Sequence, residues 1–285
     1  MKKILSLLFL CILPFTAVHA QKDVDCSKVD RIKITAWLHE AQSQKKSSNW
    51  LLYFGRKFIG IPYVGGTLDR ADREKLVVNV SGVDCTTFVE QSLALALCAR
   101  AGKFDFPTFC NRLARVRYIG GDIAYLNRNH YFTLWINSNV QAGNVRDIQG
   151  PVPPFSAIQK INVSYMSTHW HDYHMLTVHQ DWIQGISRME KGINGLTYRY
   201  IPKRLIGDTS LMRKAVKSGD ILALVTNKKG LDISHVGIAV WNKNGTLHLL
   251  NASSIYHRVI VDPMSLAQYM SRHTSQIGIR VCRLR

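Results

Sequence analysis

The first residue in this sequence placed to do chemistry is a cysteine that opens a strong helix. Cys85 follows Gly82-Val83-Asp84 and precedes a long apolar stretch. A helix N-terminus carries roughly half a positive charge and unpaired N–H groups, and both favour the thiolate, the nucleophilic form. Asp84 suits the N-cap position. Its own charge opposes a thiolate, so a reactive Cys85 requires the Asp84 carboxylate to turn toward the backbone. The competing role for Cys85 is a buried structural thiol, the commonest state of a free cysteine.

A cysteine nucleophile needs a base, and the base needs an orienting group. His235 sits in Ser234-His235-Val236-Gly237-Ile238, a strand-like apolar run. Asn251 and His248, in the next such run, are the candidate orienting groups. Hairpin geometry chooses between them. A two-residue turn at Asn244-Gly245 pairs Lys243 with Thr246 and puts Asn251 on the face opposite His235. A three-residue loop, Lys243-Asn244-Gly245 with Gly245 left-handed, pairs Asn242 with Thr246 instead. Asn251 then faces Gly237 and His235 faces Ser253. His235 and Asn251 become diagonal neighbours on one face, roughly 7–8 Å apart, and His248 points to the other. A Cys-His-Asn site therefore predicts the three-residue loop.

The elements that must carry these residues are visible as periodicities. Residues 31–59 have apolar residues at helical spacing, and Gly60-Ile61-Pro62-Tyr63-Val64-Gly65-Gly66 ends them in a loop. Residues 85–101 form the best helix, with Phe88, Ser92, Leu95, Ala96 and Ala99 on one face and Gly102 at its end. Residues 103 to about 215 are mixed and hold most of the aromatics and histidines. From Gly219 onward, strands are expected over 220–226, 233–241, 246–252, 257–261 and 276–283. Asp262-Pro263 is expected to cap a short helix running to about Arg272. A helical half followed by an antiparallel sheet is an α+β pattern. With no Pro/Ser-rich linker, residues 21–285 read as one domain with a long insertion at about 103–215.

The 285 residues are 46% hydrophobic, which excludes a disordered chain. Met1-Lys2-Lys3, the apolar run Ile4 to Phe15 and Val18-His19-Ala20 read as a secretory signal peptide over residues 1–20. The run is too short, and too broken by Pro14, for a stable membrane span. Its removal takes two lysines and no acids, leaving 35 basic residues against 19 acidic, a net charge of +16. Cys26, Cys85, Cys98, Cys110 and Cys282 remain, an odd number in a compartment where thiols pair. Cys98 and Cys110 are one conceivable disulfide. The basic balance points to an anionic partner. The dispersed lysines and arginines, without a nucleic-acid motif, argue against nucleic acid. The stretch Thr168-His169-Trp170-His171-Asp172-Tyr173-His174 lacks the usual zinc-ligand order and reads as a polar aromatic loop rather than a metal site.

Asp84-Cys85-Thr86-Thr87-Phe88-Val89-Glu90 resembles the nucleophile motif of the NlpC-type, papain-like cysteine hydrolases of bacterial cell walls. Ser218-Gly219-Asp220-Ile221 followed by Ser234-His235-Val236-Gly237-Ile238 is similar to their base-bearing strands, and Pro62-Tyr63-Val64-Gly65-Gly66 to their upstream loop. Arg128-Asn129-His130-Tyr131-Phe132-Thr133-Leu134-Trp135, together with the long gap between Cys85 and His235, resembles the N-acetylmuramoyl-L-alanine amidase-like branch. The resemblance implies a papain-like (NlpC-type) α+β fold, its nucleophile helix packed on an antiparallel sheet. It implies Cys85, His235 and Asn251 as catalytic residues, although the wider family often has His at the third position. It implies substrate contacts from Tyr63, Arg128, His130, Tyr131 and Ser234, with no metal or other cofactor. The implied activity is hydrolysis of the amide between N-acetylmuramic acid and L-Ala in peptidoglycan fragments, in the periplasm or outside the cell. The rivals are a D,L-endopeptidase of stem peptides on the same fold and a wall-binding module without turnover.

Overall fold

The computed structural model describes residues 24–45 and 49–285. The expected signal peptide, with Cys11, lies outside the described residues. The chain begins with strand β1 (Val24–Cys26), helix α1 (Lys28–Gln42) and helix α2 (Trp50–Lys57). The single helix expected over 31–59 is thus two. Gln42-Ser43-Gln44 offers no apolar residue to bury, and the Asn49 side chain starts α2 afresh by accepting the Leu52 N–H at 3.2 Å. Strand β2 (Leu76–Val78) runs parallel to β1.

Helix α3 (Cys85–Arg100) comes next, followed by α4 (Phe106–Arg117). Every residue of α3 from Thr87 to Ala99 is buried. A helix apolar on all sides belongs in the interior. It packs against α2, α4 and the strand that carries His235. Gly102, with φ +65°, ends it in the left-handed conformation that a side chain disfavours.

The region between α4 and residue 215 holds α5 (Phe132–Gln141), β3 (Val145–Ile148), β4 (Ala157–Lys160), α6 (Tyr165–Thr168), α7 (His174–Val178), α8 (Trp182–Ile193), β5 (Thr197–Pro202) and α9 (Thr209–Ala215). Then come β6 (Ile221–Thr226), β7 (Ile233–Trp241), β8 (Leu247–Ser253), β9 (Arg258–Val261), α10 (Leu266–Ser271) and β10 (Gln276–Leu284). The sheet order is β4-β5-β10-β6-β7-β8-β9, with β3 also on β10. All its pairings are antiparallel. The expected late strands are present within a residue or two. The middle region adds three strands that were not expected. Val145-Arg146-Asp147-Ile148 and Ala157-Ile158-Gln159-Lys160 are too short and polar to announce themselves. Helix α10 also starts later than expected, because Ser265 and Gln268 form a complete capping box beyond Asp262-Pro263.

The sheet is covered on both faces. Along β6, Ile221 and Ala223 enter the core shared with Phe54, Phe88 and Ile238. Leu222 and Leu224 enter a second core with Met212, Leu249 and Met270. This is the two-residue period of a strand buried on both sides. A third cluster, with Tyr125, Tyr131, Met166 and Leu176, lies in the middle region.

The β7–β8 hairpin has the three-residue loop. The Asn242 N–H donates to the Thr246 carbonyl at 3.0 Å, the Gly245 N–H donates to Asn242 at 3.1 Å, and Gly245 has φ +79°. The ladder pairs Trp241 with Leu247 and Ile238 with Leu250, so Gly237 continues it opposite Asn251. There is no room for a side chain at Gly237. A Cβ would sit 2.8 Å from the Leu250 carbonyl oxygen and 2.8 Å from Leu249 Cδ1. Gly237→Ala is expected to destabilise the protein by about 1–3 kcal/mol. The urea midpoint checks this, and an unchanged midpoint contradicts it.

Candidate active site

The N-terminus of α3 is fixed by a capping box. Asp84 Oδ1 accepts the Thr87 N–H at 2.8 Å and the Thr87 hydroxyl at 2.8 Å, and that hydroxyl accepts the Asp84 N–H at 3.0 Å. The carboxylate is therefore turned to the backbone, as a reactive Cys85 requires. Cys85 occupies the first helical position, where backbone N–H groups have no acceptor inside the helix. Its side chain is half-buried at the wall of a cleft shared with His235, Ser234, His130 and Tyr131.

His235 reaches the cleft through an irregularity in β7. Leu224 pairs with His235 and the next residue, Val225, pairs with Ile233. Ser234 is the extra residue of a β-bulge, a device that re-aims neighbouring side chains. Its hydroxyl donates to the Leu224 carbonyl at 3.4 Å. The His235 Nε2 and Asn251 Oδ1 lie 3.0 Å apart, and Asn251 Nδ2 donates to the Leu249 carbonyl at 3.3 Å. That second bond fixes the amide orientation, so the Oδ1 faces the ring as an acceptor. Nε2 must then carry the proton, which leaves Nδ1 with a free lone pair, the form a base needs. His248 lies on the other side of the strand, between Asn242 Nδ2 at 3.0 Å and the Asp262 carbonyl at 2.9 Å.

Burial is the largest influence on charge in this pair. Desolvation, with Asp84 adding, pushes the Cys85 thiol up to about 12. The Val236 N–H and the Thr86 hydroxyl lie against the sulfur and oppose that shift without reversing it. Burial lowers the His235 pKa, Asn251 opposes, and His273 adds to the lowering. The resting pair is therefore a neutral thiol and a neutral imidazole. Burial thus works against the thiolate that a helix N-terminus favours.

The other expected site residues fall into two groups. Tyr63 stands beside Cys85, on a backbone bridge to Val83, and its pKa is raised by burial and then by Cys85 and Asp84. His130 borders the Cys85 cleft with its Nε2 2.7 Å from the Tyr125 carbonyl. A carbonyl only accepts, so Nε2 carries the proton there. Tyr131 also lines the cleft, but its hydroxyl donates to Glu190 at 2.7 Å and accepts the Met166 N–H at 3.0 Å. Arg128 lies outside the Cys85 cleft, in an adjoining lobe, and pairs with Glu74 at 2.5 Å. Asp232, Asn129 and Tyr173 line the Cys85 cleft without having been foreseen. Asp232 accepts the Thr133 N–H at 2.6 Å and ties α5 to β7. No local spacing signals a contact between residues so far apart.

Among the described residues, no group of three His, Cys, Asp or Glu side chains could hold a metal ion. The histidine-rich stretch forms stacked pairs instead, Tyr165 with His169 and Trp170 with His171. All five described cysteines are free, so the Cys98–Cys110 bridge is not formed. Cys98, Cys110 and Cys282 are buried, whereas Cys85 opens on the cleft.

A family model described as AmiA-like, N-acetylmuramoyl-L-alanine amidase-like, matches residues 53–279. The chain belongs to this AmiA-like family. A solved N-acetylmuramoyl-L-alanine amidase from Bacteroides uniformis is 34% identical, with a TM-score of 0.76 over 83% of this chain and 97% of its own. A Bacteroides fragilis structure, described provisionally as a xylanase, is 39% identical, with a TM-score of 0.75 over 82% of this chain and 100% of its own. A Legionella pneumophila protein, 22% identical, shares the fold with a TM-score of 0.69 over 89% of this chain and 94% of its own. No curated protein matches the chain.

This AmiA-like site also carries a pH signature. Burial, then the neighbouring Arg128, lowers the His130 pKa to about 3. A histidine with a lowered folded pKa adds stability above its unfolded pKa of about 6.5, and that stability is lost as pH falls toward the folded value. His130→Gln is expected to lose stability less steeply than wild type between about pH 6.5 and 3. Denaturant titrations across that range check this, and equal slopes contradict it.

Proposed function

We propose that this AmiA-like protein is a cysteine amidase that hydrolyses the bond between N-acetylmuramic acid and L-Ala in peptidoglycan fragments. The observation that carries the proposal is the His235 Nε2 to Asn251 Oδ1 bond of 3.0 Å at the edge of the Cys85 cleft. It supplies an oriented imidazole with a free Nδ1 in the same cleft as a thiol at a helix N-terminus. The family membership and the Bacteroides uniformis amidase support the choice of scissile bond. The order of Cys85, His235 and Asn251 on a helix and two adjacent strands supports an NlpC-type, papain-like assignment for the domain. The N-terminal run supports export to the periplasm or beyond.

The steps follow from the neutral pair. Sulfur attacks the lactyl carbonyl carbon as its proton passes to His235 Nδ1, and a C–S bond forms. The oxyanion draws on the Cys85 N–H and the Tyr63 hydroxyl. His235 returns its proton to the departing L-Ala nitrogen as the C–N bond breaks. Water then attacks the thioester, His235 takes a water proton, and the C–S bond breaks to leave the lactyl acid and the thiol.

A glycosidase reading lacks support in the cleft. Glycoside hydrolysis uses a pair of carboxyl groups across the bond. Among the residues lining the Cys85 cleft, Asp232 is the one carboxylate, and it is held by the Thr133 N–H.

Digestion of defined muropeptides, with product masses as readout, tests the reaction. Intact stem peptide and free lactyl sugar are expected. A shortened stem identifies an endopeptidase, and binding without any product identifies a wall-binding module. Cys85→Ala and His235→Ala are expected to abolish turnover while the fold persists, and Asn251→Ala to cost less. Near-wild-type activity in Cys85→Ala ends this reading. The acid limb of kcat/KM is expected below the ordinary histidine value of about 6.5, because burial lowers the pKa of His235. An acid limb above that value contradicts the neutral-base mechanism.

A further inference from the structure

Strand alternation divides the neighbours of His235 between the two sides of the sheet. Val236 and Ile238 enter the core shared with Phe88, whereas Ala239 enters the core that holds Leu249, Tyr269 and Met270. His235 and Asn251 are an even number of positions from Ala239 and Leu249, so both face the side covered by α10. The pairing of β6 with β7 is regular from His235 to Ile238, so the bulge at Ser234 does not disturb this count.

On that side one tyrosine touches two histidines. The Tyr269 ring lies 6.3 Å from the His235 ring, centroid to centroid, with their planes 30° apart. The His273 ring lies 4.4 Å from Tyr269, at 29°. Such separations belong to offset stacking. Tyr269 is 5% exposed, and burial raises its pKa, so its hydroxyl stays neutral. His273 is pinned where α10 ends. Its Nδ1 is 2.7 Å from the Tyr269 carbonyl and its N–H donates to the Met270 carbonyl at 3.0 Å. Its own carbonyl accepts Lys203 Nζ at 3.0 Å and the Gln276 N–H at 3.1 Å. A carbonyl only accepts, so His273 Nδ1 carries a proton.

These rings supply what the Asn251 bond does not. A single hydrogen bond at Nε2 fixes one atom of the imidazole, and rotation about the second side-chain torsion of a histidine is otherwise soft. A buried ring packed on His235 restricts that rotation, and a ring that is itself packed on a pinned His273 cannot move aside. Charge follows the same geometry. Burial lowers the His235 pKa most, and His273, which repels an arriving proton when it is itself protonated, adds to the lowering. The other groups facing His235 are Asn251 on β8, Asp84 ahead of α3, and Cys85, His130 and Asp232 on the cleft wall. Asn251 and Asp84 act in the opposite sense. Lys203, in the turn after β5, is a cation held against the His273 carbonyl.

We propose that Tyr269 is a positioning residue for the base, holding the plane of the His235 ring, and that His273 braces Tyr269 and brings a titratable charge to the base. The assignment rests on the cysteine-amidase reading above. Neither residue is among the described residues that line the Cys85 cleft, so both act through His235 rather than on substrate. Asn251 then selects the tautomer and holds the ring edge, and Tyr269 holds the ring plane.

Kinetics on an N-acetylmuramoyl-L-alanyl peptide and NMR titration of the His235 imidazole test both parts. Tyr269→Leu removes the ring and keeps an apolar side chain. Its kcat is expected to fall about tenfold with KM within about twofold of wild type, the pattern of a misaligned base. Tyr269→Phe restores the ring and is expected to recover most of that loss. His273→Gln removes the charge, and both the acid limb of kcat/KM and the His235 titration are expected to move up by about half a pH unit. Melting temperatures confirm that the variants fold. Equal kcat in Tyr269→Leu and Tyr269→Phe overturns the positioning role. A His235 titration that stays in place or moves down in His273→Gln overturns the role of the charge. Nuclear Overhauser contacts between the His235 and Tyr269 rings are expected in the wild type, and their absence overturns the positioning role even where a variant does not fold. A wild type that cuts within the stem peptide, or binds muropeptides without turnover, overturns the amidase reading, and the NMR measurements then decide the ring contacts by themselves.

Discussion

The candidate site depends on one loop length. Strand side chains alternate, so a single residue more or less between β7 and β8 would exchange Asn251 for a neighbour on the other face. The Lys243-Asn244-Gly245 loop sets that count, and it does so through local chemistry. Gly245 takes the left-handed conformation, and Asn242 Oδ1 accepts the Thr246 N–H at 2.8 Å across the loop mouth. The same Asn242 side chain contacts His248 at 3.0 Å on the far face. A turn at the tip thus decides which polar group meets His235 well inside the ladder. The absence of a side chain at Gly237 lets β7 and β8 approach closely there.

Electrostatics at the cleft follow from a second constraint, the burial of α3. A central helix is held firmly, and its first residue is held with it. Asp84 caps that helix, so the cap that positions Cys85 also places a carboxylate next to it. The Val236 N–H and Thr86 favour a thiolate, whereas desolvation and Asp84 disfavour it, and desolvation is the largest of these. Chemistry in the proposed mechanism then begins from a neutral pair. Charge develops only in the transition state, where the backbone N–H groups at the helix end count for most.

Much of this was legible in the sequence, and for physical reasons. Gly, Asn and Asp at turns have local conformational preferences, so the hairpin loop and the Asp84 cap follow from neighbours in the chain. The apolar runs of β6 to β8 are long enough to show their period. What was hidden depends on distant partners or on burial. Strands β3, β4 and β5 are short and partly polar, and are strands because β10 and one another accept their backbone bonds. The Arg117–Glu90 and Arg128–Glu74 pairs join residues 27 and 54 positions apart. Arg128 and Tyr131 were foreseen as substrate contacts, but their obligations to Glu74 and Glu190 were not. The thiol raised by burial was hidden too, because the helix dipole is local while desolvation belongs to the whole fold.

The central claim is that Cys85 carries the muramoyl acyl group during turnover. The most direct measurement is the intact mass of the protein quenched during turnover of a defined muropeptide, followed by location of the adduct in a proteolytic digest. The account predicts an adduct with the mass of the sugar-bearing lactyl acyl group, attached through a thioester at Cys85. An adduct with the mass of a peptide fragment, or turnover with no adduct at Cys85 under conditions that trap thioesters, would contradict it.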